Sequence, residues 1–259
     1  MARNVMVTGA TSGFGAAIAG KFAANGDNII ATGRRADRLQ ELKDKLESEY
    51  DVKVITLHFD VRDRNEVTAA VEQLSGMVDC VDILVNNAGL AAGLSTIDDG
   101  DVDDWDIMVD TNLKGLLYVT KYVLPLIKKS KQGHIINIGS TAGKVAYKNG
   151  NVYCATKFAV DALSQTMRID LLPFGIKVTS VNPGLAETEF SIVRFKGDED
   201  KAKSVYKGLD PLVADDIADV AFYCASQPAH VCINDITVTC TNQANSFYII
   251  RDSEKVKNV

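Results

Sequence analysis

Short, continuous apolar runs alternate along the chain with longer stretches whose apolar positions recur at helical spacing. Residues 5–7 (Val-Met-Val) read as a buried strand, followed by a glycine-rich turn and a helix carrying Ile18, Phe22 and Ala23 on its apolar side. Further strands are predicted at 28–32, 52–59, 81–86, 134–139, 176–181 and 233–238. Between them the 3.6-residue period predicts helices over 38–50, 65–74, 105–128, 152–172 and 215–226. Strict β/α alternation with unbroken apolar strands indicates a parallel sheet buried on both faces. There is no linker rich in Pro, Gly or Ser and no internal repeat, so the expectation is one α/β domain over residues 1–259. Its sheet should be doubly wound, with seven parallel strands.

One segment, 185–212, fits neither period and is expected to be an irregular substrate loop, since long insertions in compact domains are often lids. It holds Arg194, Lys196 and the acidic run Asp198-Glu199-Asp200. Two other charged stretches read as structural: 98–106 as a helix N-terminus, and Lys128, Lys129 and Lys131 as a helix C-terminus.

Composition narrows the classes. A 46% hydrophobic content is that of a globular chain, and 259 residues suffice for a sizeable core without disulfides or metals. The formal charge of −6 argues against nucleic acid as the main partner. Five cysteines with no C-x-x-C pair, and only three histidines, leave no familiar metal-site spacing. No apolar stretch has signal-peptide or membrane-spanning character. A cytoplasmic protein with reduced thiols is the expectation.

The chemistry starts at the first β/α turn, Thr8-Gly9-Ala10-Thr11-Ser12-Gly13-Phe14-Gly15. Gly9 would allow the tight turn, Gly13 the approach of a pyrophosphate to the helix N-terminus, and Gly15 close packing of helix on sheet. The spacing is G-x-x-x-G-x-G, and such a turn alone can be merely a tight connection. The second strand ends in Gly33-Arg34-Arg35 where an NAD site would place an acid. Two guanidinium groups suit a 2′-phosphate, which favours NADP; a solvated surface pair is the plain alternative. Asp60, with Val61 beside it, closes the third strand and could accept from the adenine amino group. The turn Asn87-Ala88-Gly89 closes the fourth, where small residues would let the cofactor approach.

Tyr153 and Lys157 stand four apart on a predicted helix and so share a face, with Ser140 at the end of the fifth strand. A nearby ammonium, aided by the positive nicotinamide of an oxidised cofactor, would favour the phenolate and lower the tyrosine pKa, so that Tyr153 exchanges a proton with a hydroxyl or carbonyl. Ser140 would hold the substrate oxygen. A Ser-Lys hydrolase with Ser140 as nucleophile is the rival, but it leaves the glycine turn, the arginines and Tyr153 without a role.

Together these residues resemble the short-chain dehydrogenase/reductase family, in its single-domain Rossmann form. The matching elements are Thr8 to Gly15, Asn86 to Gly89, Asn112, Ser140, Tyr153 with Lys157, and Pro183-Gly184 with Thr188. The resemblance implies a catalytic tetrad of Asn112, Ser140, Tyr153 and Lys157. Asn112 would position a proton-relay water, and Lys157 would hold the nicotinamide ribose. Pro183, Gly184 and Thr188 would contact the nicotinamide, and the assembly would be a homotetramer.

Segments 138–143, 150–153, 188–191, 193–195 and 242–244 are similar to the NADP-dependent 3-hydroxy acid dehydrogenases, a subgroup that includes serine and allo-threonine dehydrogenases and malonic semialdehyde reductases. In that subgroup the substrate carries a carboxylate. Arg194 is the candidate clamp for it, with a structural pairing to Asp198 or Glu199 as the alternative. The acidic run nearby would disfavour anions if it faced the pocket. The expected activity is reversible oxidation of a small 3-hydroxy acid to a 3-oxo acid. The rivals are a reductase of non-acidic aldehydes or diketones, and a non-catalytic nucleotide sensor.

Overall fold

The computed structural model describes residues 2–252; both ends of the expected 1–259 domain lie outside them. Among the described residues, seven parallel strands form one sheet in the order β3-β2-β1-β4-β5-β6-β7. They are β1 (Asn4–Thr8), β2 (Asn28–Gly33), β3 (Val54–His58), β4 (Ile83–Asn86), β5 (His134–Ile138), β6 (Lys177–Pro183) and β7 (Asp235–Val238). The connecting helices are α1 (Gly13–Ala23), α2 (Ala36–Glu49), α3 (Arg64–Ser75), α4 (Val102–Val109), α5 (Leu116–Ile127), α6 (Asn151–Leu171), α7 (Glu189–Arg194), α8 (Glu199–Tyr206) and α9 (Ala214–Ala225).

The apolar runs of the sequence are buried on both faces because successive strand residues point to opposite sides. Val5 and Val7 pack with Ile18 and Phe22 of α1 and Ile217 of α9. Met6, between them, packs on the other side with Val67 of α3 and Val119 and Val123 of α5. Each large aliphatic side chain so buried contributes about 1.5–3 kcal/mol. The sheet order reverses at β1, which lies between β2 and β4. Such a reversal opens a crevice at the carboxyl ends of the strands, where ligands of open α/β sheets collect.

Not all of the interior is apolar. Asn86 and Asn137 are register partners on β4 and β5. Asn86 Nδ2 donates to Thr120 Oγ1 and to Asn137 Oδ1, both at 2.9 Å. Asn137 Nδ2 donates in turn to Ser164 Oγ at 2.9 Å. This chain of bonds joins α5 to α6 through the sheet, directly beneath the crevice.

Two departures from the sequence pattern bear on the site. The helix expected over 105–128 is split: α4 passes into a π-helical segment, Asp110–Gly115, before α5. The segment is six residues long with Leu113 its one large apolar residue, so it carries no apolar period to mark it, and such bulges often sit at functional sites. Gly115 closes the segment against Val61, whose Cγ2 an added Cβ would approach to 2.7 Å. The segment 185–212, expected to be irregular, instead holds the short helices α7 and α8. Thr188 and Asp198 cap them, and their apolar faces are too brief for periodicity to register.

The buried amide chain yields a stability prediction. Asn137→Ala leaves Asn86 with Thr120 alone and Ser164 with only the Val160 carbonyl, and urea unfolding should show a loss of about 1–3 kcal/mol. A loss below about 0.5 kcal/mol, the level of an ordinary surface change, would show that the network does not hold the two helices to the sheet.

Candidate active site

A cleft of about 430 Å³ opens at the carboxyl edge of the sheet, over the reversal point. It runs from Arg34, Arg35 and Asp60 at one end, past the glycine-rich turn, to Ser140, Tyr153 and Arg194 at the other. The turn between β1 and α1 has its close approaches built in. Gly9 and Gly13 take φ of +66° and +50°, a region open to glycine and strained for other residues. A Cβ on Gly15 would sit 2.6 Å from Asn87 Nδ2 and nearer still to the Gly9 carbonyl oxygen. Thr11, Ser12 and Phe14 complete the wall. Asn87 pins this turn to β4, its Nδ2 donating to the Thr8 carbonyl at 2.8 Å, while Thr8 Oγ1 accepts from the Asn87 and Ala88 amides.

At the far end of that wall the two expected cations differ. Arg35 lies against the turn, donating to Thr11 Oγ1 and Ser12 Oγ at 2.8 Å, and its Nη1 reaches Glu189 Oε2 of α7 at 3.2 Å. Arg34 is exposed, 3.7 Å from Asp60. Asp60, the expected adenine contact, already accepts from Arg62 Nη2 at 2.6 Å, and its carboxylate keeps acceptor capacity for a further donor. Burial favours the neutral acid there, but the bonds from Arg62 prevail and hold the carboxyl below its usual range.

The four residues of the expected tetrad all converge. Ser140 follows β5, its Oγ accepting from the Ala142 amide at 3.1 Å. Tyr153 and Lys157, one turn apart on α6, are both buried. Lys157 Nζ donates to the Ile138 carbonyl at 2.8 Å and lies 6.0 Å from the centre of the Tyr153 ring. Asn112, on the π segment, is buried and engaged: Oδ1 accepts from the Leu90 amide at 2.8 Å, and Nδ2 donates to the Leu90 carbonyl and to Thr156 Oγ1. Gly89 separates it from Lys157, since an added Cβ would lie 3.2 Å from Asn112 Oδ1 and 3.7 Å from Lys157 Nζ.

The expected lowering of the tyrosine pKa joins Lys157 to the positive charge of an oxidised nicotinamide, and the protein alone does not produce it. In the structure burial dominates and pushes the Tyr153 phenol up to about 12, opposed by the Arg194 guanidinium and the Ser140 hydroxyl. Burial also pulls the Lys157 ammonium down to about 8. A dry site penalises both ionised forms, and the lysine, held by a backbone carbonyl, does not by itself overcome the penalty.

The other end of the cleft is lined by residues of α7. Thr188, the N-cap of α7, uses Oγ1 to accept from Phe190 N at 3.2 Å and faces Gly13, where an added Cβ would lie 3.5 Å from the Thr188 Cβ. Pro183 and Gly184 line the cleft below it. Arg194, the last residue of α7, pairs with neither Asp198 nor Glu199, which bond Lys201 and Lys203 instead. Its guanidinium donates to the Tyr147 hydroxyl and lies 5.0 Å from the Tyr153 ring centre, 5.6 Å from that of Phe190 and 5.7 Å from that of Tyr147. Its Nε is buried without a partner. The acidic run 198–200 does not line the cleft. Tyr147 and Gln243 do, and neither was among the expected site residues. Tyr147 lies between Ser140 and Tyr153 with no local signal to mark it. Gln243 is brought in from the C-terminal region, where its Oε1 accepts from the Leu185 amide at 2.8 Å.

Comparison with known proteins agrees with this arrangement. A family model described as short chain dehydrogenase matches residues 3–199. An NADP-dependent 3-hydroxy acid dehydrogenase from Salmonella typhi is 47% identical over 241 residues, covering 93% of this chain and 96% of that protein. A serine 3-dehydrogenase from Agrobacterium fabrum is 41% identical over 254 residues, covering 98% and 100%. The solved closed form of a serine dehydrogenase complexed with NADP+ aligns with a TM-score of 0.85 at 45% identity, covering 94% of this chain and 97% of that one. With a family model spanning most of its length and relatives matched nearly end to end, the chain belongs to the short-chain dehydrogenase family.

Proposed function

We propose that the protein is an NADP-dependent oxidoreductase that reversibly oxidises the 3-hydroxyl of small 3-hydroxy acids to 3-oxo acids. L-Serine, L-allo-threonine and 3-hydroxypropionate are the candidate substrates. The observation that carries the substrate class is Arg194: a guanidinium set among Tyr147, Tyr153 and Phe190, with a buried and unpartnered Nε, beside the expected proton-transfer residue. An anion is the partner such a group lacks, and a relative named for 3-hydroxy acids points the same way.

The cleft fits a phosphorylated dinucleotide. The positive φ of Gly9 and Gly13 leaves a cradle that side chains would fill, and Arg34 and Arg35 stand where a 2′-phosphate needs cations. Bound NADP supplies the hydride acceptor at its nicotinamide ring, and NADPH the donor. Tyr153 takes the proton from the substrate hydroxyl in oxidation and returns it in reduction. Ser140 hydrogen-bonds the reacting oxygen and holds it beside the phenol. Lys157 supplies positive charge next to Tyr153 and a donor for the cofactor ribose. Asn112 fixes the Leu90 backbone and faces Lys157 across Gly89, the arrangement a water-mediated relay needs. Pro183, Gly184 and Thr188 bound the nicotinamide side. Residues 185–212 act as the flap that excludes water over the substrate.

We also place the protein in the cytoplasm as a homotetramer; among the described residues no helix is long and apolar enough to cross a membrane. Phe158 and Ile169 on α6, with Leu172 and Phe174 after it, are large apolar residues left exposed, which suits association between copies. Sedimentation equilibrium should give four times the chain mass; a monomer at micromolar concentration would remove this part.

Two measurements test the chemistry. Oxidation needs an ionised phenol, and the protein holds Tyr153 protonated, with a pKa of about 12 before any cofactor charge is added. The phenolate fraction therefore grows as pH rises toward the pKa, so the oxidation rate should climb between about pH 7 and 10 while reduction, which uses the protonated phenol, stays level. Tyr153→Phe should abolish both directions. A flat oxidation profile would remove Tyr153 from the proton transfer. For the substrate class, Arg194→Ala should lower kcat/KM roughly ten- to hundredfold on 3-hydroxy acids relative to uncharged alcohols. An equal loss on both would favour the reductase of aldehydes and diketones.

A further inference from the structure

The end of the cleft farthest from Tyr153 carries a contact that the catalytic reading does not use. Glu189, in the first turn of α7, reaches across the mouth of the cleft to two arginines at the start of α2. Its Oε2 accepts from Arg35 Nη1 at 3.2 Å and its Oε1 from Arg38 Nη1 at 2.8 Å. Arg35 spends its other donors on Thr11 and Ser12 of the glycine-rich turn. The guanidinium best placed for a 2′-phosphate is therefore already paired with a carboxylate of the protein itself. Burial alone would raise the Glu189 pKa, but the bonds from Arg38 and Arg35 outweigh it and keep the carboxylate ionised.

We infer that Glu189 is a cofactor-specificity residue: it competes with the 2′-phosphate for Arg35 and so limits the preference for NADP(H) over NAD(H). A phosphate monoester carries a charge of about −1.5 to −2 at neutral pH and engages guanidinium groups more strongly than a single carboxylate does. It displaces Glu189 from Arg35. Arg38 keeps hold of the other carboxylate oxygen, so the displaced anion stays close to the phosphate and repels it. A ribose with free hydroxyls asks nothing of Arg35 and leaves the Glu189 pair in place. The carboxylate therefore acts against the phosphorylated cofactor alone.

Glu189 and Arg35 are 42% and 38% exposed, so the competition is screened and its size moderate. The inference rests on the proposed reading of Arg35 as a 2′-phosphate contact, and the experiment separates the two. Binding of NADPH and NADH is followed by nucleotide fluorescence, and binding of 2′,5′-ADP and 5′-AMP by calorimetry. Glu189→Gln, which keeps the size and removes the charge, should tighten NADPH and 2′,5′-ADP by about three- to tenfold and leave NADH and 5′-AMP unchanged. No change in the two phosphorylated ligands, or equal weakening of all four, would overturn the inference; the second result would make Glu189 a strap that only holds the flap down. Arg35→Met tests the underlying reading: if it leaves the NADPH-to-NADH ratio intact, Arg35 is not the phosphate contact. If it collapses the ratio while Glu189→Gln does not move it, only the competition is wrong.

Discussion

Tyr153 and Lys157 are two ionisable side chains buried together where water cannot solvate either charge, and this constraint organises the rest of the site. In a dry crevice a phenolate and an ammonium are each unfavourable alone and favourable only beside a compensating charge. The protein supplies part of the compensation, with the Ile138 carbonyl on the lysine and the Arg194 guanidinium over the tyrosine ring. It withholds the remainder, so the phenol stays protonated. The positive nicotinamide of the oxidised cofactor would add charge at the same point, which links proton transfer to the arrival of the hydride acceptor.

The surrounding fold serves to hold that pair in place. α6 carries both residues one turn apart, and its contact with β5 through Asn137 and Ser164 fixes its depth in the sheet. The π segment carries Asn112 inward to the Leu90 backbone, and Gly89 leaves room between Asn112 and Lys157. On the opposite side, α7 spans the cleft with Glu189 over the arginines of α2 and Arg194 over Tyr153. One six-residue helix thus touches both ends of the site.

Much of this was legible in the amino-acid order. The β/α alternation led to the parallel sheet because strands buried on both faces must be apolar throughout, and helices on a sheet must be apolar on one side. The glycine-rich turn, Ser140 and the Tyr153 and Lys157 pair stand out by residue type and position, whereas Asn112 is marked only by the family resemblance. Other features were not legible. The π segment has a single large apolar residue, Leu113, and α7 and α8 are too short to show any period. The fate of Arg194 was left open because its partners, Tyr147, Tyr153 and Phe190, come from separate elements, while the acids adjacent in sequence bond elsewhere. How strongly burial opposes the acidification of Tyr153 by Lys157 and the cofactor depends on the packing around the pair, which residue spacing does not show. Nothing in the sequence around Asp60 shows that Arg62 folds back onto it.

The central claim is that the protein alone keeps Tyr153 protonated and that the oxidised cofactor lowers its pKa. Ultraviolet difference titration of the phenolate, wild type minus Tyr153→Phe, measures this directly with and without saturating NADP+. The account predicts a titration midpoint for this tyrosine near pH 12 in the protein alone, and a clear downward shift once NADP+ is present. A tyrosine that titrates near its ordinary value of about 10 in both samples would contradict it.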